Sequence, residues 1–151
     1  MKEGEILKNH SLGAMLKFSD RLLEKSVNNK MSNFNITRSQ MELLAYVFIQ
    51  NQEGNEVNQV DIEKYLNLRN PTVTGLINRL EKKEYIKRGV SNKGANYKSI
   101  IITEKGIKLL EDGKKIIDNV EKSMFSVLSK EEKDELAKIL TKVIDNKISN
   151  D

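Results

Sequence analysis

The sequence predicts a mainly α fold with one small β-hairpin, and three observations within 58–103 carry that prediction. Two short helical segments flank the tight stretch Leu66-Asn67-Leu68. The single proline of the chain, Pro71, directly follows Asn70, where the second of these helices begins. Two strand-like runs, 85–90 and 97–102, then enclose the basic, turn-rich stretch 91–96. Helix, turn, helix and hairpin in that order are the layout of a winged helix-turn-helix, which sets one helix in the DNA major groove and a hairpin beside it.

Composition narrows the function classes. A chain of 151 residues fits one domain, or one domain with helical extensions. There is no cysteine, which excludes disulfides, thiolate metal sites and thiol redox sensing. His10 is the only histidine, so neither a metal site nor most hydrolytic chemistry is expected. No phosphate-binding loop, nucleophile elbow or dinucleotide fingerprint occurs, and the reading is of a non-enzyme without cofactor. The N-terminus lacks a continuous apolar run, so a cytosolic chain with no membrane span is expected. The net charge is +4, and its placement is more telling than its size. Segment 69–98 holds eight basic residues (Arg69, Arg79, Lys82, Lys83, Lys87, Arg88, Lys93, Lys98) against the acids Glu81 and Glu84, while the rest has 18 basic and 20 acidic residues. The excess positive charge therefore sits in the helix-turn-helix segment, as phosphate binding requires.

Each element has a local signal. Segment 5–27 reads as a long amphipathic helix, with Leu12, Met15, Leu16, Leu22 and Leu23 on its stripe, and 28–34 as a polar connection. Thr37-Arg38-Ser39-Gln40 is a capping box opening a helix with Met41, Leu44, Ala45, Val47 and Phe48, ending near Asn51. Asn58 caps the next helix, with Asp61 near its positive end and Val60, Ile62 and Tyr65 as apolar contacts. Asn70 is read as the cap of the following helix, with Pro71 in its first position. There Val73, Leu76, Ile77 and Leu80 fall at helical spacing and define the buried face. The opposite face carries Thr74, Gly75, Asn78, Arg79 and Lys82, with Thr72 on its flank. Thr103 caps a helix expected to reach about Leu128, with Ile107, Leu110, Ile117, Val120 and Met124 on its apolar side. Ser129-Lys130-Glu131-Glu132 is another capping box, opening a last helix striped by Leu136, Ile139, Leu140, Val143 and Ile144.

Over nearly the whole chain this order of elements resembles the MarR family of bacterial transcription regulators. The likeness is strongest over 70–83, at Ile102-Thr103-Glu104-Lys105-Gly106 and at Gln40; Asn-Pro-Thr-Val-Thr from Asn70 looks most like the subgroup repressing multidrug efflux genes. Two positions depart from the pattern. Glu84 stands where the family usually has a glycine ending the recognition helix, at a cost of about 1 kcal/mol if the left-handed backbone is kept. Gly94 and Asn96 stand where the family wing carries Asp-x-Arg, which predicts a weaker A·T preference from this wing.

The resemblance implies a homodimer held by its terminal helices: 1–34 as the N-terminal dimerisation helix, 35–103 as the DNA-binding domain and 104–151 as the C-terminal dimerisation helices. The expected partner is a double-stranded, pseudo-palindromic operator with half-sites about 10 bp apart. Asn70, Thr72, Thr74, Gly75, Asn78, Arg79 and Lys82 form the candidate recognition surface. Thr72, Thr74, Asn78 and Arg79 are candidate base readers; Arg79 fits a phosphate contact equally well, and the threonines a helix-start role. Lys87, Arg88, Lys93 and Lys98, with Lys82, are candidate phosphate contacts, and Asn96 can reach a minor-groove base edge. The resemblance further implies release by a small hydrophobic or aromatic effector, for which Met15, Phe18, Tyr46 and Phe48 are candidate pocket residues or plain core. Effector-independent activation, an architectural role and a pure protein-interaction module are the competing readings.

Overall fold

A computed structural model describes residues 11–150. Helix α1 (Leu12–Met31) opens on Ser11, whose hydroxyl accepts from the Ala14 amide. The expected start near Glu5, and His10, lie outside the described residues. Where the sequence suggested a connection from Asn28, α1 continues to Met31, because Val27 and Met31, one turn apart, are both fully buried. A single 3-10 turn (Ser32–Phe34) and left-handed Asn35 lead to α2 (Arg38–Gln52). The reciprocal Thr37–Gln40 capping box that opens α2 is formed as read.

Helix α3 (Gln59–Leu66) starts on a second reciprocal box, Asn58 with Asp61. Only Ile62 of its expected apolar contacts is buried; Val60 and Tyr65 are exposed, and Tyr65 instead stacks on Tyr46 with ring centroids 4.2 Å apart. After left-handed Asn67 comes α4 (Asn70–Lys82). Its N-cap is Arg69, extended at φ −77° and ψ 151°, and not Asn70. The Arg69 carbonyl accepts the first helical bonds from Thr72 and Val73, and the Asn70 side chain is drawn to neighbouring side chains. Pro71 still occupies the first turn, where a missing N–H costs nothing.

Strands β1 (Ile86–Val90) and β2 (Lys98–Ile102) pair antiparallel, from Ile86 opposite Ile102 to Val90 opposite Lys98. Asn51, at the end of α2, accepts from the Ile102 amide at 3.1 Å, and the Ile100 amide donates to the Val57 carbonyl at 2.7 Å, which docks the hairpin on the helices. Helix α5 (Glu104–Met124) is capped by Thr103 and stops at Met124, short of the expected Leu128. A tight turn, with the Leu128 amide on the Phe125 carbonyl, intervenes before the Ser129–Glu132 box opens α6 (Lys130–Asn150).

The core gathers Met31, Met41, Leu43, Leu44, Val47, Ile62, Ile77, Leu80, Ile86 and Ile100 beneath α4 and the hairpin. Helix α5 reaches it through Leu109 and two buried glycines. A methyl at Gly106 would collide with the Tyr85 carbonyl, and one at Gly113 with Met41. By contrast, Leu12, Met15, Leu16 and Leu22 of the predicted α1 stripe are exposed, and no residue of α6 is buried. The architecture is the winged helix-turn-helix expected, with long helices on both sides. No helix among the described residues is long and apolar enough to cross a membrane.

Candidate nucleic-acid interface

Helix α4 buries Val73, Leu76, Ile77 and Leu80, so its other face must meet solvent or a partner. The predicted recognition residues lie there, but not in one state. Thr72, Arg79 and Lys82 are exposed and, among the described residues, hold no side-chain hydrogen bond or ion pair. A side chain at Gly75 would meet open space, so packing within the chain does not demand a glycine there. Asn70 and Thr74 are already engaged. Gln59 Nε2 donates to Thr74 Oγ1 at 2.8 Å and to Glu63 Oε1 at 3.1 Å; Asn70 Nδ2 donates to the same Glu63 oxygen at 2.8 Å, and Thr74 Oγ1 to Asn70 Oδ1 at 3.4 Å. This network locks the start of α4 to α3 and leaves Thr72 as the free hydroxyl of the first turn.

At the other end of the face Asn78 is held by the wing. Arg88 on β1 donates from Nη2 to Asn78 Oδ1 at 2.7 Å and from Nε to Glu81 Oε2 at 2.9 Å. Lys87, Lys93, Asn96 and Lys98 are exposed along the hairpin. Lys93 lies 4.0 Å from Asp61.

The base of the wing turn is clamped from the loop before α3. The Glu56 carboxylate accepts from the Ser91 hydroxyl, and from the Asn92 amide at 2.9 Å, while Ser91 Oγ accepts from the Lys93 amide at 3.0 Å. The Ser91 bond, then the Asn92 amide, hold the Glu56 carboxyl below the usual carboxylate range. Sequence reading missed Glu56, Gln59, Glu63, Glu81 and Ser91. The Gln59/Glu63 spacing of one helical turn was a usable signal; Glu56 and Ser91 are 35 residues apart, and no local pattern joins them.

Of the four candidate pocket residues, only Phe48 lines a cavity between α2 and α5. Its volume is about 370 Å³, and Met41, Ala45, Ile49, Leu110 and Ile117 supply the remaining apolar wall, with Glu42 and Lys114 also lining it. Met15, Phe18 and Tyr46 do not line it. A second groove of about 680 Å³ runs between α1 and α5, lined by Leu22, Ile116, Val120 and Met124 among others.

Comparison with known proteins places this geometry in context. The family model described as the MarR family matches residues 36–92. The structure of MepR from S. aureus in complex with DNA is 31% identical, covers 92% of this chain and 98% of its own, and superposes with a TM-score of 0.77. A further MepR structure, described as that of a transcription regulator of the Staphylococcus aureus multidrug efflux pump MepA, is 31% identical over 90% of this chain and 98% of its own, with a TM-score of 0.68. An uncharacterized HTH-type transcriptional regulator of Bacillus subtilis, YdgJ, is 26% identical over 111 residues, 74% of this chain. The chain spans 65% of the length of that curated relative.

Proposed function

The chain belongs to the MarR family, and from that premise we propose that it is a dimeric, sequence-specific DNA-binding repressor released by a small apolar ligand. The observation that carries this reading is the exposed polar face of α4, with Thr72, Arg79 and Lys82 unengaged, flanked by the basic hairpin. Thr72, Asn78 and Arg79 read base edges; Lys82, Lys87, Lys93 and Lys98 contact phosphates and add affinity without sequence choice. Two copies joined through 1–34 and 104–151 present two α4 helices to successive major grooves, so the operator is a pseudo-palindrome with half-sites about 10 bp apart. The exposed stripe of α6 supports the dimer. The cavity lined by Met41, Phe48, Leu110 and Ile117 joins α2 of the DNA-binding domain to α5 and supports the ligand site. A ligand preferring a dimer with wrongly spaced α4 helices releases the DNA. Repression follows most simply, because a bound dimer occludes the DNA it covers.

The test is binding of the purified protein to its own upstream DNA and to a scrambled duplex, at two salt concentrations. A preference for the upstream DNA that survives the higher salt is expected. Equal affinity for both duplexes, collapsing together with salt, would reduce the surface to a non-specific basic patch.

A further inference from the structure

The contact between the wing and α4 restricts what α4 can read. Arg88 bridges two residues of α4 that lie one turn apart, Asn78 and Glu81. A guanidinium has only donors, so the Asn78 atom facing it at 2.7 Å must be the carbonyl oxygen. The amide orientation is thereby set by chemistry. Glu81 accepts from Nε of the same guanidinium at 2.9 Å, and the Arg88 and Glu81 side chains are about one-third exposed, at 31% and 40%. The contact is therefore a two-point clasp, unlike a single bond from a freely moving side chain.

An unconstrained asparagine pairs with adenine through two bonds, one donated and one accepted. Arg88 takes one of the two lone pairs of Oδ1, so Asn78 keeps its NH2 group free while its oxygen becomes the weaker acceptor for a base. We propose that Arg88 is a positioning residue for base recognition: it makes Asn78 read mainly as a donor and shifts that position from adenine, whose two-bond pairing needs the oxygen, toward guanine or thymine. Guanine presents two acceptors, N7 and O6, in the major groove, thymine presents O4 and adenine only N7, so a donor keeps no advantage for adenine, whereas cytosine presents only a donor. This rests on the DNA-binding reading above and assigns Arg88 a task other than phosphate contact.

The experiment is selection of bound sequences from a randomised duplex pool by the full-length protein, compared among wild type, Arg88→Lys, Arg88→Ala and Asn78→Ala, with melting curves to establish folding. Arg88→Lys keeps the charge that a phosphate contact needs but lacks the planar fork that spans Asn78 and Glu81. The wild type should enrich a motif with guanine or thymine at one position of each half-site. Arg88→Lys and Arg88→Ala should raise adenine there by about five-fold or more, leaving the other positions unchanged. In the Asn78→Ala background the Arg88 substitutions should no longer alter that position. If the Arg88 variants select the wild-type motif and only bind more weakly, with the salt dependence reduced by about one phosphate, the proposal is overturned and Arg88 is a phosphate contact. A wild type that enriches no motif removes the DNA-reading function itself, a different failure from an unchanged motif in the variants.

Discussion

Glu84 shows how one side chain can resist a backbone that everything around it enforces. It sits at φ +62°, immediately after the C-cap of α4, and two bonds close the helix there: Tyr85 N–H to the Leu80 carbonyl and Glu84 N–H to the Glu81 carbonyl, both 2.9 Å. That is the Schellman arrangement, and it asks for glycine at the position Glu84 fills. The resemblance to the family located the conflict in the sequence, because Glu84 stands where its members usually have the glycine that ends the recognition helix. It could not say whether the backbone or the residue yields; the backbone is kept. Glu84→Gly should therefore stabilise the protein by about 0.5 kcal/mol, since the Cβ clash is relieved while glycine's extra unfolded-state freedom offsets part of the gain. The exposed Glu84–Lys105 pair, 3.9 Å apart, is too weak to reverse the sign. Thermal melting reads the result: a rise of about 1–2 °C is expected, and an unchanged or lower midpoint would mean that the left-handed turn contributes no strain.

The wing illustrates the same argument one level up, where an element owes its position to a residue far away in sequence. The capping boxes at Thr37 and Ser129 and the cap at Asn58 were legible because each is complete within four residues, although the sequence reading gives Asp61 only a dipole effect and not the bond back. The Glu56 clamp on Ser91 and Asn92 was not, and neither was the closeness of α5 to the core, which depends on Gly106 and Gly113 lying a heptad apart beside Leu109. The α4 surface was legible as a face, since helical periodicity defines it, but its occupancy was not: Thr74 and Asn70 are taken by α3, and Asn78 by β1. The clamp has a definite pH signature. The Glu56 carboxyl lies below its ordinary value of about 4.3, so its contribution to holding the wing is complete above that pH and is lost as pH falls through the depressed folded-state value. The Asn92 amide proton should report this directly. Its NMR shift should be flat from neutral pH down to about 4.3 and then titrate, and in Glu56→Gln that titration should vanish. A wild-type titration centred at or above the ordinary value would contradict the clamp.

At the scale of the molecule the surplus of apolar surface is the feature that a single chain does not explain. Helix α6 is 21 residues long and buries none of them, yet Leu136, Ile139, Leu140, Val143 and Ile144 keep one face apolar. Ile139, Val143 and Ile144 are each about half exposed, and Leu12, Met15 and Leu16 of α1 are exposed as well. A helix gains most of its stability from packing such a face, so a stripe retained over three turns without a core beneath it calls for a second copy. Burying one large aliphatic side chain is worth roughly 1.5–3 kcal/mol, and placing a carboxylate there forfeits that and adds a desolvation cost. The double substitution Val143→Asp and Ile144→Asp should thus weaken self-association by at least about 100-fold, given some 3 kcal/mol lost over the two sites. Sedimentation should find the wild type at twice the 17.3 kDa chain mass and the variant at the chain mass itself. Far-UV circular dichroism should show helix loss in the variant as α6 frays, while the DNA-binding lobe, whose core lies beneath α4 and the hairpin, keeps its fold. Because a monomer presents one α4 to one major groove, the same variant should bind a half-site duplex as tightly as the wild-type lobe does and lose the gain from adding the second half-site. Equal sedimentation of the two proteins would refute the assembly, and a retained two-half-site gain in a monomeric variant would separate DNA recognition from dimerisation through α6.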